Sequence, residues 1–178
     1  MNREESKKAL MQTFVPQRSL FFYTLTSVGP LVVFAILLLF MGLRPTNLVI
    51  PAAMCALVSM GGFWTLLYEI TFDIAGVPEY KLPIWAVFYL VIYLLSGFAF
   101  VIFALHSANP GTFISGMATD SKAAFLDALY LSMSNYIGVS PDVSFSAKTQ
   151  GARFLAVTQG ILSVFLNVVI ITKFVSSL

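Results

Sequence analysis

Charged residues are scarce in this chain of 178 residues, where they make up 10% of the sequence. A soluble domain of this size carries about 25% charged residues. Hydrophobic residues make up 58%, and they form runs of about 20, the length that matches the hydrocarbon core of a bilayer. The scarcity of charge therefore excludes an ordinary soluble domain and indicates an all-α integral membrane protein.

Cysteine and histidine occur once each, which excludes a His/Cys metal site within one chain. Cys55 lies in an apolar run, cannot form an intrachain disulfide, and is expected to be a buried packing residue. His106 is expected at a membrane interface, and no nucleophile–base–acid set surrounds it. The sequence therefore predicts neither an enzyme nor a bound cofactor. The net charge of +2, without a basic cluster, gives no indication of a nucleic-acid partner.

Four apolar segments are long enough to cross a membrane. They are predicted at residues 20–43, 48–70, 84–105 and 154–175. Gly29-Pro30 interrupts the first segment, where we expect a kink. Residues 1–19 carry six charges and are predicted to form a surface tail. The basic residues near that tail place both termini in the cytoplasm of a multi-pass plasma-membrane protein.

A fifth, shorter helix is predicted at residues 120–134, with Thr119 or Asp120 as its cap. It is too short to cross the membrane, and the polar stretch S-N-Y-I-G-V-S-P-D follows it at 134–142. A short helix, a polar stretch and then a full span describe a re-entrant hairpin around a wet cavity. The alternative is an ordinary surface loop that follows an amphipathic helix.

The last span carries polar residues on one face. Gln159, Ser163 and Asn167 are spaced at i, i+4 and i+8 and therefore stack along the helix. Polar side chains are costly in hydrocarbon, so this stripe is expected to face an aqueous path. The alternative is hydrogen bonding between helices that holds the bundle together.

Two stretches resemble one family. F-L-D-A-L-Y-L-S at 125–132 resembles the pore-helix signature of bacterial potassium channels built on a two-helix pore core. G-A-R-F-L-A-V-T-Q-G-I-L-S at 151–163 is similar to the inner helix of the same family. The resemblance covers roughly 50 of the 178 residues, in the right order and spacing. This family belongs to the tetrameric cation channels.

The resemblance implies a homotetramer with a central pore. Residues 20–83 would form two peripheral helices and residues 84–178 the pore domain, with its outer helix, pore helix 120–134, filter 135–142 and inner helix 153–175. The implied filter consists of Asn135, Tyr136, Ile137, Gly138, Val139, Ser140, Pro141 and Asp142. The implied inner pore is lined by Gln159, Gly160, Ser163 and Asn167, with Gly160 as a candidate hinge. The permeating ions would be K⁺ and Na⁺.

The filter departs from the family pattern. Aligned without gaps on L-Y-L-S at 129–132, I-G-V-S-P-D stands where the family has T-V-G-Y-G-D. Aligned instead on Ile137-Gly138 as the family's Val-Gly, the hairpin is two residues shorter. In both alignments Gly138 is the one glycine left. Pro141 has no N–H for a supporting hydrogen bond, and Val139 is stiff, so a complete ladder of backbone carbonyls is not expected. We expect a weakly selective filter with hydrated ion sites. Four copies of Asp142 would form a carboxylate ring that attracts cations.

The sequence thus predicts a tetrameric channel for monovalent cations. One alternative is a non-conducting relative that uses the same fold as a membrane partner or sensor, because the filter is so altered. Another alternative is a small four-helix transporter. Such transporters usually need an ionisable group near the middle of the membrane, whereas Glu69 and Asp73 lie only at the end of a span.

Overall fold

The computed structural model describes residues 17–40, 43–70, 84–139 and 145–175. Four of its helices are long and apolar enough to cross a membrane, which confirms the predicted number of spans. In chain order, the elements are α1 (Gln17–Phe40), a 3-10 turn (Pro45–Leu48), α2 (Val49–Tyr68), α3 (Ile84–Ala108), β1 (Ile114–Ser115), α4 (Ser121–Ile137), β2 (Ser146–Ala147) and α5 (Gln150–Val175).

The helix boundaries differ from the predicted ones in three places. α1 covers Gln17–Phe40, three residues earlier at each end than the predicted 20–43, and Pro30 lies inside it. α5 begins at Gln150, four residues before the predicted start. α3 continues past Leu105 to Ala108, so it includes His106, which is buried within the bundle near the end of this helix. The predicted tail falls mostly outside the described residues.

α3 is the central helix of the bundle. In the 18-residue apolar stretch that could cross the membrane, 61% of α3 is buried, whereas 17% of the corresponding stretch of α5 is buried. The sequence explains this, because α3 is apolar on every face, as expected for a helix surrounded by other helices. α1, α2, α4 and α5 all contact it.

An aromatic cluster joins three of these helices. The ring of Phe34 in α1 lies 4.9 Å from that of Phe125 in α4 and 5.2 Å from that of Phe100 in α3. Phe103 completes the cluster, 5.3 Å from Phe34. Such edge-to-face contacts add about 0.5–1.5 kcal/mol per pair beyond the buried area. The short helix α4 is therefore anchored to the spanning helices by a packed core. Cys55 is buried as predicted, with Sγ 3.7 Å from the carbonyl oxygen of Pro30.

α2 and α3 approach closely at Gly62. A Cβ atom placed there would lie 2.6 Å from Cζ of Tyr93. The Tyr93 ring is fully buried, and its hydroxyl donates a hydrogen bond of 3.0 Å to the carbonyl oxygen of Tyr23 and contacts the hydroxyl of Thr26. The ring cannot move away without losing these contacts, so this crossing requires glycine.

We expect Gly62→Ala to destabilise the protein by about 1–3 kcal/mol, because it overpacks the contact with Tyr93. Gly61→Ala is the matched control, since a Cβ at Gly61 meets no atom within 4 Å. Both changes gain the same helix propensity. Thermal unfolding in detergent should show a lower midpoint for Gly62→Ala than for Gly61→Ala. Equal midpoints would contradict the close approach.

Candidate functional site

α4 begins on the side of the bundle where α1 ends. The carboxylate of Asp120 caps the helix by accepting from the backbone N–H groups of Lys122 and Ala123, at 3.1 Å each. The hydroxyl of Ser121 donates 2.8 Å to the carbonyl oxygen of Leu43, just beyond the end of α1. Asp120 is therefore the cap, one of the two that the sequence indicated, and it ties the start of α4 to one end of the bundle.

α4 runs three residues further than predicted, to Ile137. Asn135, Tyr136 and Ile137, expected as irregular filter backbone, form its last turn instead. The sequence expectation was wrong here because polar residues at a helix end do not break the helix. The break comes at Gly138, which has a φ of 76°, a left-handed conformation that favours glycine. Val139 N–H then donates 3.0 Å to the carbonyl oxygen of Ser134.

The remaining predicted filter residues, Ser140, Pro141 and Asp142, lie outside the described part of the chain. Val139 precedes them and is exposed, as are Gly138 and Ile137. The description of the chain resumes at Phe145, whose ring lies 5.8 Å from that of Tyr130 in α4. The returning chain therefore lies against the helix from which it came.

α4 ends about halfway along its neighbours. The hydroxyl of Ser132 donates 2.8 Å to the carbonyl oxygen of Leu95, near the middle of α3. The hydroxyl of Tyr136, in the last turn of α4, donates 3.1 Å to Oδ1 of Asn167. Asn167 lies just beyond the midpoint of α5. The helix therefore enters the bundle from one end and stops near the middle.

A two-stranded antiparallel ribbon joins the chain before α4 to the chain after it. β1 precedes α4, β2 follows it, and the two pair antiparallel, with Ser115 opposite Ser146 and Ile114 opposite Ala147. The backbone N–H of Lys148 adds a hydrogen bond of 3.2 Å to the carbonyl oxygen of Phe113. The chain therefore enters α4 from, and returns after it to, the same position beside this ribbon. We call residues 114–147 the hairpin.

Gln159 joins the hairpin to α5. Its Nε2 donates to the carbonyl oxygen of Ser132 at 2.8 Å and lies 2.7 Å from the Ser132 hydroxyl. Its Oε1 accepts a hydrogen bond of 3.3 Å from Nδ2 of Asn135. The side chain is fully buried. Both ends of the amide are satisfied inside the protein, which is the condition for a polar group at this depth.

The polar stripe of α5 thus has two parts. Gln159 and Ser163 are buried within the single chain, and Ser163 bonds back to the carbonyl oxygen of Gln159 at 2.8 Å. Gln159 fits the interhelical-bonding alternative rather than the expected aqueous path, whereas Ser163 bonds within its own helix. Asn167 is exposed, and a Cβ at Gly160 would meet no atom within 4 Å. These two positions remain open to solvent or to a further chain.

A second polar contact went unrecognised in the sequence. The peptide group of Ala118 connects α3 to α4. Its carbonyl oxygen lies 3.2 Å from Nε2 of His106, and its N–H donates 2.7 Å to Oδ2 of Asp127. The sequence feature that could have revealed this contact is Asp127, an acidic residue inside the largely apolar segment that forms α4. These bonds hold the connection that precedes α4 against both helices.

The end of α4 attracts positive charge. Helix dipoles leave about half a negative charge at the C-terminus, and the last turn contains no basic residue. The residues at that end, Ile137, Gly138 and Val139, are exposed. Among the described residues, no group of three or more His, Cys, Asp or Glu side chains could hold a metal ion.

Comparison of this chain with protein-family models, curated proteins and solved structures finds no match. The potassium-channel resemblance of residues 125–132 and 151–163 therefore remains a prediction from the sequence. The class of protein that the fold defines is a helical membrane protein. It has four apolar helices long enough to span a bilayer and a fifth, shorter helix of 17 residues.

We expect Gln159→Leu to loosen the last turn of α4, since the amide of Asn135 and the carbonyl oxygen of Ser132 would lose their partners. The cost is about 1–3 kcal/mol. Hydrogen exchange should show faster exchange of the backbone amides of residues 134–139. Gln150→Leu, at an exposed position at the start of α5, is the control and should leave them unchanged. Unchanged exchange in Gln159→Leu would contradict the role given to this side chain.

Proposed function

We propose that this chain is one subunit of a tetrameric channel that conducts monovalent cations, K⁺ and Na⁺, with weak selectivity. The observation that carries the proposal is the depth of α4. It starts level with Leu43, ends between Gln159 and Asn167 of α5, and is followed by a chain that returns to β2. This is the geometry that a pore helix and filter loop require.

The electrostatics of the hairpin support a cation as the permeating ion. The C-terminal end of α4 is negative and points into the bundle, away from any basic residue in its last turn. Four such ends around an axis would lower the energy of a partly hydrated cation. In the proposal, Asp142 adds a carboxylate ring at the mouth, and the residues from Gly138 to Asp142 form the filter.

Four-fold assembly is supported by the exposure of α5. It is the least buried of the four spanning helices, with 17% of its window covered. Its outward face is apolar and carries Val157, Ile161, Val164 and Val168. Asn167 and the hydroxyl of Tyr136 are exposed near the middle of the bundle, where contact with lipid would be costly. In the proposed tetramer they face a water-filled inner pore together with Gly160, whereas Gln159 bonds to the hairpin and Ser163 bonds back to Gln159 within α5.

A second candidate is a channel-like membrane protein that does not conduct. One observation favours it. Asn135, Tyr136 and Ile137 are helical, so at most Gly138 and the few residues after it can form a filter. Two of the four expected inner-pore side chains are also buried inside the chain. Such a protein would use the tetrameric fold as a partner or sensor.

Flux assays separate the two candidates. Purified protein in liposomes should carry K⁺ and Na⁺ down a gradient faster than empty liposomes do. Asp142→Asn should lower the flux by on the order of tenfold at low ionic strength and by less at high salt, because the carboxylate ring acts by concentrating cations. Asp73→Asn, in the connection at 71–83, is the control. Fluxes equal to those of empty liposomes would support the non-conducting candidate instead.

The assembly state is tested separately. Native mass spectrometry in mild detergent should show a species with four times the mass of the 19.5 kDa chain. Four-fold symmetry is expected because a single hairpin cannot surround an ion path. A stable monomer or dimer under conditions that preserve ion flux would count against the tetramer. A stable monomer or dimer that also shows no ion flux would count against both candidates.

A further inference from the structure

Two buried polar atoms at the end of α3 lack a hydrogen-bond partner. They are Nδ1 of His106 and Oγ of Ser107, and neither bonds to any described residue. His106 is 3% exposed and Ser107 is fully buried. Buried polar groups are almost always satisfied, so two unpartnered atoms in successive residues require an explanation. They indicate that the packed arrangement at this end of α3 is held at a cost.

The other nitrogen of the His106 ring shows which neutral form the imidazole takes. Nε2 lies 3.2 Å from the carbonyl oxygen of Ala118, which can only accept, so Nε2 carries the hydrogen. In the neutral ring, Nδ1 is then a bare lone pair. The backbone N–H of Ala118 donates 2.7 Å to Oδ2 of Asp127. The backbone of Ala118 is thus held by α3 through His106 and by α4 through Asp127.

Protonation of His106 changes this balance. Histidine is the side chain that changes its charge between about pH 5 and 8, and the imidazolium donates from both nitrogens. No described residue accepts from the new donor at Nδ1. A buried charged donor without a partner costs more than a buried lone pair. The imidazolium therefore favours an arrangement in which the ring leaves Ala118 and reaches water.

Neighbouring charges give Nδ1 no partner. The charged side chains that the described elements bring to this end of the bundle are Arg44, Asp120, Lys122, Asp127, Lys148 and Arg153. All but Asp127 are exposed, so water and salt screen their effect on a buried ring. The carboxylate of Asp127 attracts an imidazolium and opposes its release, but it makes no bond to Nδ1.

The connection between α3 and α4 contains two positions that can absorb a change of backbone direction. Gly111 and Gly116 have φ values of 74° and 88°, a conformation that glycine adopts freely. Both are exposed. Gly116 lies two residues before Ala118, so the backbone at Ala118 can move while the pairing of β1 with β2 is kept.

We propose that His106 is a pH-sensitive switch that holds the base of the hairpin when neutral and releases it when protonated. In the neutral form the ring keeps Ala118 against α3. In the protonated form the residues from Gly116 to the start of α4 loosen, and the ribbon stays paired. A proton that binds the released form better shifts the protein towards it. The proposal concerns the conformation of the hairpin base and stands whether or not the protein conducts ions.

The test uses the full chain in lipid nanodiscs. The chain has one histidine, so ¹⁵N-histidine labelling reports on His106 alone. We expect the neutral ring with hydrogen on Nε2 at about pH 8 and the imidazolium at about pH 5. Over the same range, protection of the Ala118 amide, corrected for the pH dependence of chemical exchange, should fall about tenfold, as for one lost hydrogen bond. The amide of Lys148, bonded to Phe113 in the ribbon, should keep its protection.

Two variants assign the effect. His106→Gln keeps a donor for the carbonyl oxygen of Ala118 but cannot ionise, so protection of Ala118 should be equal at both pH values. Asp127→Asn keeps an acceptor for the Ala118 amide and should still show the loss. The proposal is overturned if His106 stays neutral at the lower pH, if wild-type protection does not fall, or if folded His106→Gln loses it equally. Should His106→Gln not fold, the wild-type titrations still decide, because different midpoints for the ¹⁵N signal and for Ala118 exchange would contradict the switch.

Discussion

Hydrocarbon offers no hydrogen bonds to a polypeptide, and α4 can end inside the bundle only because protein groups replace the missing water. The fully buried amide of Gln159 does most of this, since it satisfies the carbonyl oxygen of Ser132 and the side chain of Asn135 at once. Leu95 accepts from the Ser132 hydroxyl on the opposite side. The end of the hairpin is thus held between the middle of α3 and the middle of α5, and every functional argument depends on that position.

The other end of the hairpin is held by different means. Asp120 caps α4, Ser121 bonds to the turn after α1, and the β1–β2 ribbon joins the outgoing and returning chain. Phe125 packs between α1 and α3. Contacts thus hold the hairpin both at its base and at the end of α4.

The sequence predicted the architecture better than the site. Four spans and a short capped helix follow from hydropathy and from Asp120, since both depend on local pattern. The end of α4 was misplaced because Asn135 is compatible with helix and loop alike, and only the amide of Gln159, 24 residues away, decides between them. The burial of His106 likewise depends on Ala118 and Asp127. Contacts between distant residues do not appear in periodicity, so the partners of polar side chains could not be assigned.

The link between Gln159 and Ser132 also constrains how the protein is made. Synthesis proceeds from the N-terminus, so α4 leaves the ribosome before its partner in α5 exists. Until that last helix arrives, the side chain of Asn135 lacks its partner Gln159, and entering hydrocarbon would be unfavourable for it. In the proposed re-entrant arrangement, the hairpin would therefore wait at the membrane surface and enter together with α5. Biogenesis of this fold would then finish with a concerted insertion and not with four independent ones.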